Sequence, residues 1–175
     1  NTLTFSPGGV FSAEAAAAHQ EIFLVIAFVM LIGFGVKAGM FPMHAWLPAA
    51  HPVAPAPASA VLSAVIVKAG VLAVVRIVYF IFVASFLRGT WVQTVWMILT
   101  LTTVFLGSVL AYREPLLKKR LAYSTVSQLS YILFGLAVMD AGSLNGGLLH
   151  VLCHGFIKAA LFLCVGAVIY MTGKT

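Results

Sequence analysis

Five runs of apolar residues, at about 21–41, 58–83, 91–112, 121–139 and 144–171, dominate the chain. Each comes close to or exceeds the roughly 20 residues that carry an α-helix across the hydrocarbon core of a bilayer. With 62% hydrophobic and only 8% charged residues, and a mean hydropathy of +1.10, the chain has too little polar surface to enclose a soluble domain. The runs also lack the alternating ten-residue pattern of a membrane β-barrel. The expected fold is therefore all-α, a polytopic transmembrane helix bundle of about five spans over residues 21–175, after an external lead-in at residues 1–20. The bilayer is its first partner.

A net charge of +6 would point to nucleic acid in a soluble protein. Here the basic residues are scattered through the spans or gathered at one membrane face, so no nucleic-acid partner is expected. Cys153 and Cys164 lie eleven residues apart in one run, roughly 16 Å along a helix, too far for a disulfide between them. They read as packing residues. The start at Asn1, without an initiator Met or a basic segment before an apolar core, predicts no signal peptide and a processed or truncated piece of something longer.

Lysine and arginine near the span ends set the expected orientation. Arg113, Lys118, Lys119 and Arg120 place the third loop on the cytoplasmic side, most simply in a prokaryotic inner membrane. The loop at Asp140 and the N-terminus are then external, and the tail with Lys174 is cytoplasmic. Arg88 is the exception, on the external side. The Lys118–Arg120 cluster reads as a topology signal.

The stretch from Val36 to Ala69 carries two lysines inside apolar runs and five of the seven prolines. Pro42 removes a backbone donor and disfavours helix before it, so the first span should break there. Pro52, Pro55 and Pro57 should forbid a regular helix until about Ser59. The fifth run is longer than a bilayer needs, so it should be tilted, bent or broken near Gly155.

An ionisable residue inside a span costs about 2.5–3.5 kcal/mol on insertion scales, and it faces protein or water. Lys37 is near enough to the Pro42 break to snorkel to an interface. Lys68 has apolar sequence on both sides; it either bonds carbonyls of a broken helix or serves as a proton carrier, since burial brings both states of an amine within reach. His150, His154 and Lys158 are spaced by four and share one helical stripe, about 6 Å apart along the axis. Such a stripe is a hydrated proton relay or a structural polar seam. It lacks the acidic third ligand of a zinc site, so no metal is expected. His44 and His51 in the connector could bring protons in from the cytoplasmic side or cap helix ends. Ser124, Thr125, Ser127 and Gln128 form a polar face on the fourth span that could be hydrated or simply pack. Nothing in the sequence predicts a nucleophile, a phosphate loop, an iron–sulfur cluster or haem ligation, so no cofactor is expected in this chain.

Three segments carry a resemblance: KAGMFPMHAWLPAA at Lys37–Ala50, LKKRLAYSTVSQL at Leu117–Leu129 and HVLCHGFIKAALFL at His150–Leu163. In that order they resemble the antiporter-like membrane subunits shared by respiratory complex I, multisubunit cation/proton antiporters and membrane-bound hydrogenases. The resemblance implies a longer family chain built on inverted helical repeats, of which this sequence looks like the region from the seventh to the eleventh span. It implies that Lys37 is the lysine of a broken span, Lys68 that of the next span, and His150, His154 and Lys158 the connection beyond. The family's acidic partner of Lys37 falls outside this chain. The connector at Ala49–Pro57 departs from the complex I pattern and looks closer to the antiporter and hydrogenase members.

The expected function is proton translocation through a buried relay of Lys37, Lys68, His150, His154 and Lys158, with His44, His51, Ser127 and Gln128 as accessory candidates. The expected partners are protons, or sodium ions, and other membrane subunits of a redox-driven or cation/proton antiporter complex, including NADH dehydrogenase-like or hydrogenase assemblies. Sodium/proton antiport by the same path and a non-conducting structural scaffold are the alternatives.

Overall fold

The computed structural model describes residues 18–173. Most of the expected lead-in at 1–20, and the tail residue Lys174, lie outside the described residues. Helix α1 spans Gln20–Lys37, α2 Trp46–Val53, α3 Ala56–Ile81, α4 Ala84–Leu87, α5 Trp91–Arg113, α6 Leu117–Val138 and α7 Ala141–Thr172. Five of these, α1, α3, α5, α6 and α7, are long and apolar enough to cross a membrane. No strand occurs among the described residues. The fold is an all-α bundle of membrane-spanning helices.

Helix α6 is at the centre, packed between α5 and α7 and touched by α2 and α3, while α1 lies against α3 and α5. Small residues permit the closest approaches. A Cβ on Gly107 of α5 would be 3.0 Å from the Ser127 amide nitrogen of α6. One on Gly70 of α3 would be 2.9 Å from the Ala38 nitrogen and 3.0 Å from the Phe34 oxygen of the α1 end. The absence of a hydrophobic driving force between helices in lipid makes such small-residue contacts the usual seam.

The break in the first span is not made by Pro42. Helix α1 stops at Lys37, where Gly39 has φ 81°. The Gly39 amide donates to the Val36 carbonyl at 3.0 Å and the Met40 amide to the Gly35 carbonyl at 2.9 Å. These two bonds are a Schellman termination, which a left-handed glycine completes without strain. Pro42 follows in the turn, after a cis peptide bond. The turn is pinned from outside: the Phe41 amide donates to Thr103 Oγ1 of α5 at 3.0 Å, and Trp46 Nε1 donates to the Val36 carbonyl at 2.9 Å.

The prolines beyond it do not forbid helix. Trp46–Val53 is helical with Pro52 inside its last turn, and Ala56 starts α3 with Pro57 at its N-terminus. Proline is compatible with a first turn because its missing N–H would have no partner there. Helix α3 is α-helical at Ala56–Val61 and Val67–Arg76 and π-helical at Leu62–Ile66 and Ile77–Ile81.

Helix α7 is not broken near Gly155. It runs without interruption from Ala141 to Thr172, opened by a capping box in which Asp140 and Ser143 satisfy each other's backbone. Gly155 serves packing instead, since a Cβ there would lie 3.4 Å from the Ala64 carbonyl of α3.

Arg88 also finds a structural place. It donates to the Met139 carbonyl, and Gln93 Nε2 donates to the Ala137 carbonyl at 2.9 Å. Together they occupy the C-terminal carbonyls of α6, where Met139 turns left-handed with φ 59°. The last carbonyls of a helix have no partner inside it, so cationic and amide donors suit that position.

Candidate functional site: a buried Lys–His seam

A seam of polar side chains crosses the bundle where α2, α3, α6 and α7 meet. His51, Ser59, Ser63, Lys68, Thr125, His154 and Lys158 are all buried. Lys68 is 5% exposed and Lys158 and His154 are each 4% exposed, in a protein that otherwise buries aliphatic side chains. A charge removed from water to this degree needs partners.

Each lysine finds carbonyls. Lys68 Nζ donates to the Ser63 carbonyl, within the π-helical stretch of α3. Lys158 Nζ donates to the Leu121 carbonyl at 3.1 Å and also to Ser124 Oγ. Between these anchors the Ser63 and Thr125 hydroxyls are 3.0 Å apart, and Thr125 Oγ1 donates to that same Leu121 carbonyl at 2.9 Å. A run of hydrogen bonds therefore connects the anchoring group of Lys68 to that of Lys158.

Histidines lie beside this run. The rings of His150 and His154 stack with centroids 6.0 Å apart, one turn after another on α7. His154 is within electrostatic reach of Lys68, Lys158 and His150, and neither of its nitrogens has a protein hydrogen-bond partner. His51 lies on the other side of Lys158. It is 0% exposed, stacked on Phe162 at 4.5 Å between centroids, also without a protein partner at either nitrogen. It is within reach of the charges of Lys158 and Lys118. Buried imidazole nitrogens in proteins ordinarily bond a partner, most often ordered water where protein supplies none.

Of the residues expected to act together, the structure gathers Lys68, His150, His154, Lys158 and His51. It leaves Lys37 exposed at the end of α1, with its backbone against Gly70. His44 is half-buried beside Phe41, with ring centroids 6.0 Å apart. Ser127 is turned to α5, bonding Ser108 Oγ at 2.8 Å and the Val104 carbonyl at 3.1 Å, so it belongs to the α5–α6 contact. Gln128 is half-buried on α6.

Three participants were not singled out from the sequence. Ser63 reads as one small residue in an apolar run, and nothing local marks its pairing with Thr125. Ser59 donates to the His51 carbonyl at 3.2 Å, holding α2 to α3. Lys118 does more than mark topology: its Nζ donates to the Ala54 carbonyl at 3.0 Å, where α2 ends. Its neighbour Lys119 pairs with Glu114 at 2.9 Å, and that hydrogen bond holds the exposed Glu114 carboxyl below its ordinary range. No group of three or more His, Cys, Asp or Glu is arranged as metal ligands among the described residues.

The sequence profile described as NADH:quinone oxidoreductase/Mrp antiporter, TM matches residues 5–175. The chain is 39% identical over 152 residues to NADH-quinone oxidoreductase subunit N of Desulforudis audaxviator, covering 86% of this chain and 30% of that protein. It is 37% identical over 183 residues to hydrogenase-4 component B of Escherichia coli, covering 96% of this chain and 25% of that protein. Among solved structures, the Mrp complex from Dietzia sp. superposes with a TM-score of 0.80 at 31% identity, over 87% of this chain and 28% of the matched chain. The membrane-bound sulfane sulfur reductase, an archaeal respiratory membrane complex, superposes with a TM-score of 0.77 at 30% identity, over 95% of this chain and 29% of the matched chain. The chain thus spans less than a third of the length of these relatives.

Proposed function

Because the chain belongs to the NADH:quinone oxidoreductase/Mrp antiporter transmembrane family, we propose that it forms part of a proton-translocating membrane subunit. In this reading Lys68 and Lys158 are protonatable stations, and His150 and His154 pass protons between them through ordered water. His51, close to the basic end of the bundle, connects Lys158 toward the cytoplasmic side. The observation that carries the reading is the burial of Lys68, His154 and Lys158 side by side in one seam. Hydrophobic packing alone has no use for three titratable groups there, and such groups in membrane interiors mark ion pathways.

Lys37 is the outer station of the same path. Its exposed position suits an acidic partner supplied by the rest of a longer protein or by a neighbouring subunit. Redox chemistry belongs to other subunits of a complex, and this chain carries no cofactor. The N-terminal side faces outward and the Lys118–Arg120 end faces the cytoplasm, by the charge bias of the loops.

The test is Lys68→Met in the full-length subunit, assembled in its complex and reconstituted in proteoliposomes. Coupled proton transport is lost while the complex still assembles; transport equal to wild type would overturn the reading. A scaffold reading draws on the carbonyl bonds of Lys68 and Lys158. It expects the same variant to lose assembly before transport.

A further inference from the structure

We infer that the Ser63–Thr125 hydroxyl pair is a positioning device that couples the two buried lysines; the inference rests on the proton-translocating reading of the seam. It begins with an over-subscribed acceptor. The Leu121 carbonyl lies 2.8 Å from Ser124 Oγ, 2.9 Å from Thr125 Oγ1 and 3.1 Å from Lys158 Nζ, each oriented to donate. A carbonyl oxygen has two lone pairs. Three side-chain donors cannot all be well bonded to it at once, so what Lys158 takes, a hydroxyl gives up.

Thr125 has another place to turn. Its single hydroxyl hydrogen goes either to the Leu121 carbonyl or to Ser63 Oγ, 3.0 Å away, and either oxygen of that pair can be the donor. With Lys158 withdrawn, Thr125 bonds Leu121 and accepts from Ser63. With Lys158 engaged, Thr125 donates to Ser63 and the Ser63 hydrogen turns elsewhere. Both hydroxyls are buried, so the reversal occurs in a low-dielectric setting where a dipole is weakly screened.

The far end of the pair is the residue that anchors Lys68. Ser63 offers its carbonyl to Lys68 Nζ, and Thr125 reads its hydroxyl. The state of Lys158 is thereby transmitted to the field at the Lys68 anchor without either lysine touching the other. The carbonyls at each end do not relay protons, so the pair biases the two stations rather than conducting between them. The rival is direct repulsion, since Lys158 is within reach of the Lys68 charge. Repulsion would survive removal of the hydroxyls.

The test uses the full-length subunit in its assembled complex, in proteoliposomes with a pH-sensitive dye inside. Thr125→Val keeps the side-chain shape and removes the hydroxyl; Ser63→Ala is a second, smaller deletion. Each lowers coupled proton transport about tenfold, in the range of ordinary coupling energies, with normal assembly. Thr125→Ser retains most of the transport, and the double variant Ser63→Ala/Thr125→Val is no worse than either single one, because the pair acts as a unit. Wild-type transport by Thr125→Val and Ser63→Ala, or losses that multiply in the double variant, overturns the inference. Lys68→Met separates the two levels. If it is inactive while Thr125→Val is fully active, only the coupling fails; if it transports as wild type, the proton reading itself fails.

Discussion

The His51 ring lies on Phe162 with centroids 4.5 Å apart and planes 15° from parallel, and both residues are completely buried. A histidine without a protein hydrogen bond is held here by a ring face. Truncating Phe162 to Ala should destabilise the fold by about 3 kcal/mol, the scale for a buried aromatic. A double-mutant cycle with His51→Ala in detergent melts should show a coupling of about 0.5–1.5 kcal/mol. A coupling of zero would mean that the two rings are merely adjacent.

Lys118 should be distinguishable from its basic neighbours. Only Lys118 reaches the Ala54 carbonyl at the end of α2; Lys119 pairs with Glu114, and Arg120 Nε donates to the Glu114 carbonyl at 2.8 Å. Lys118→Met should cost about 1–3 kcal/mol locally by leaving that carbonyl unpaired. Hydrogen exchange over Trp46–Val53 should quicken in Lys118→Met and stay unchanged in Lys119→Met.

Gly70 and Gly33 make a matched pair. A Cβ at Gly70 would press on backbone of α1 at 2.9 Å and 3.0 Å, whereas one at Gly33 meets nothing within 4 Å. Gly70→Ala should lower stability by about 1–3 kcal/mol, the usual overpacking penalty, and Gly33→Ala should leave the melting temperature unchanged or slightly raised. Equal melting temperatures for the two variants would show that α1 shifts freely on α3.

Val83, between α3 and α4, has φ 66° and ψ 135°. A β-branched residue in that region carries backbone strain of about 1–3 kcal/mol. Val83→Gly should relieve it and raise the melting temperature, provided the half-buried side chain contributes less than the strain. A lowered melting temperature would show that the Val83 contacts outweigh it.

The spans were legible because a bilayer demands long apolar runs and the chain supplies five. The breaks were less so. Pro42 attracted attention as a helix breaker, but Gly39 ends α1 two residues after Lys37 by a backbone motif that composition does not distinguish from an ordinary glycine. The prolines at 52 and 57 looked prohibitive until their positions within short helices were known. Gly155 read as a weak point in a long helix and proved to be a contact with Ala64. In the site, the spacing of His150, His154 and Lys158 marks one face from sequence alone, since helical period is a local property. That Ser63 meets Thr125 depends on the relative register of α3 and α6, which no local pattern records. The resemblance to antiporter-like subunits pointed to Lys68, but it left Ser63 unnoticed.

The two π-helical stretches of α3 flank the segment Val67–Arg76, at whose start Lys68 sits. A π-turn holds an extra residue inside a helix, and such a bulge can pass along the chain by exchanging one hydrogen bond for the next. Each passage rotates the residues it crosses relative to those beyond. Lys68 is therefore carried on a short cylinder with a swivel at either end, able to change its azimuth while the termini of α3 stay fixed in their contacts.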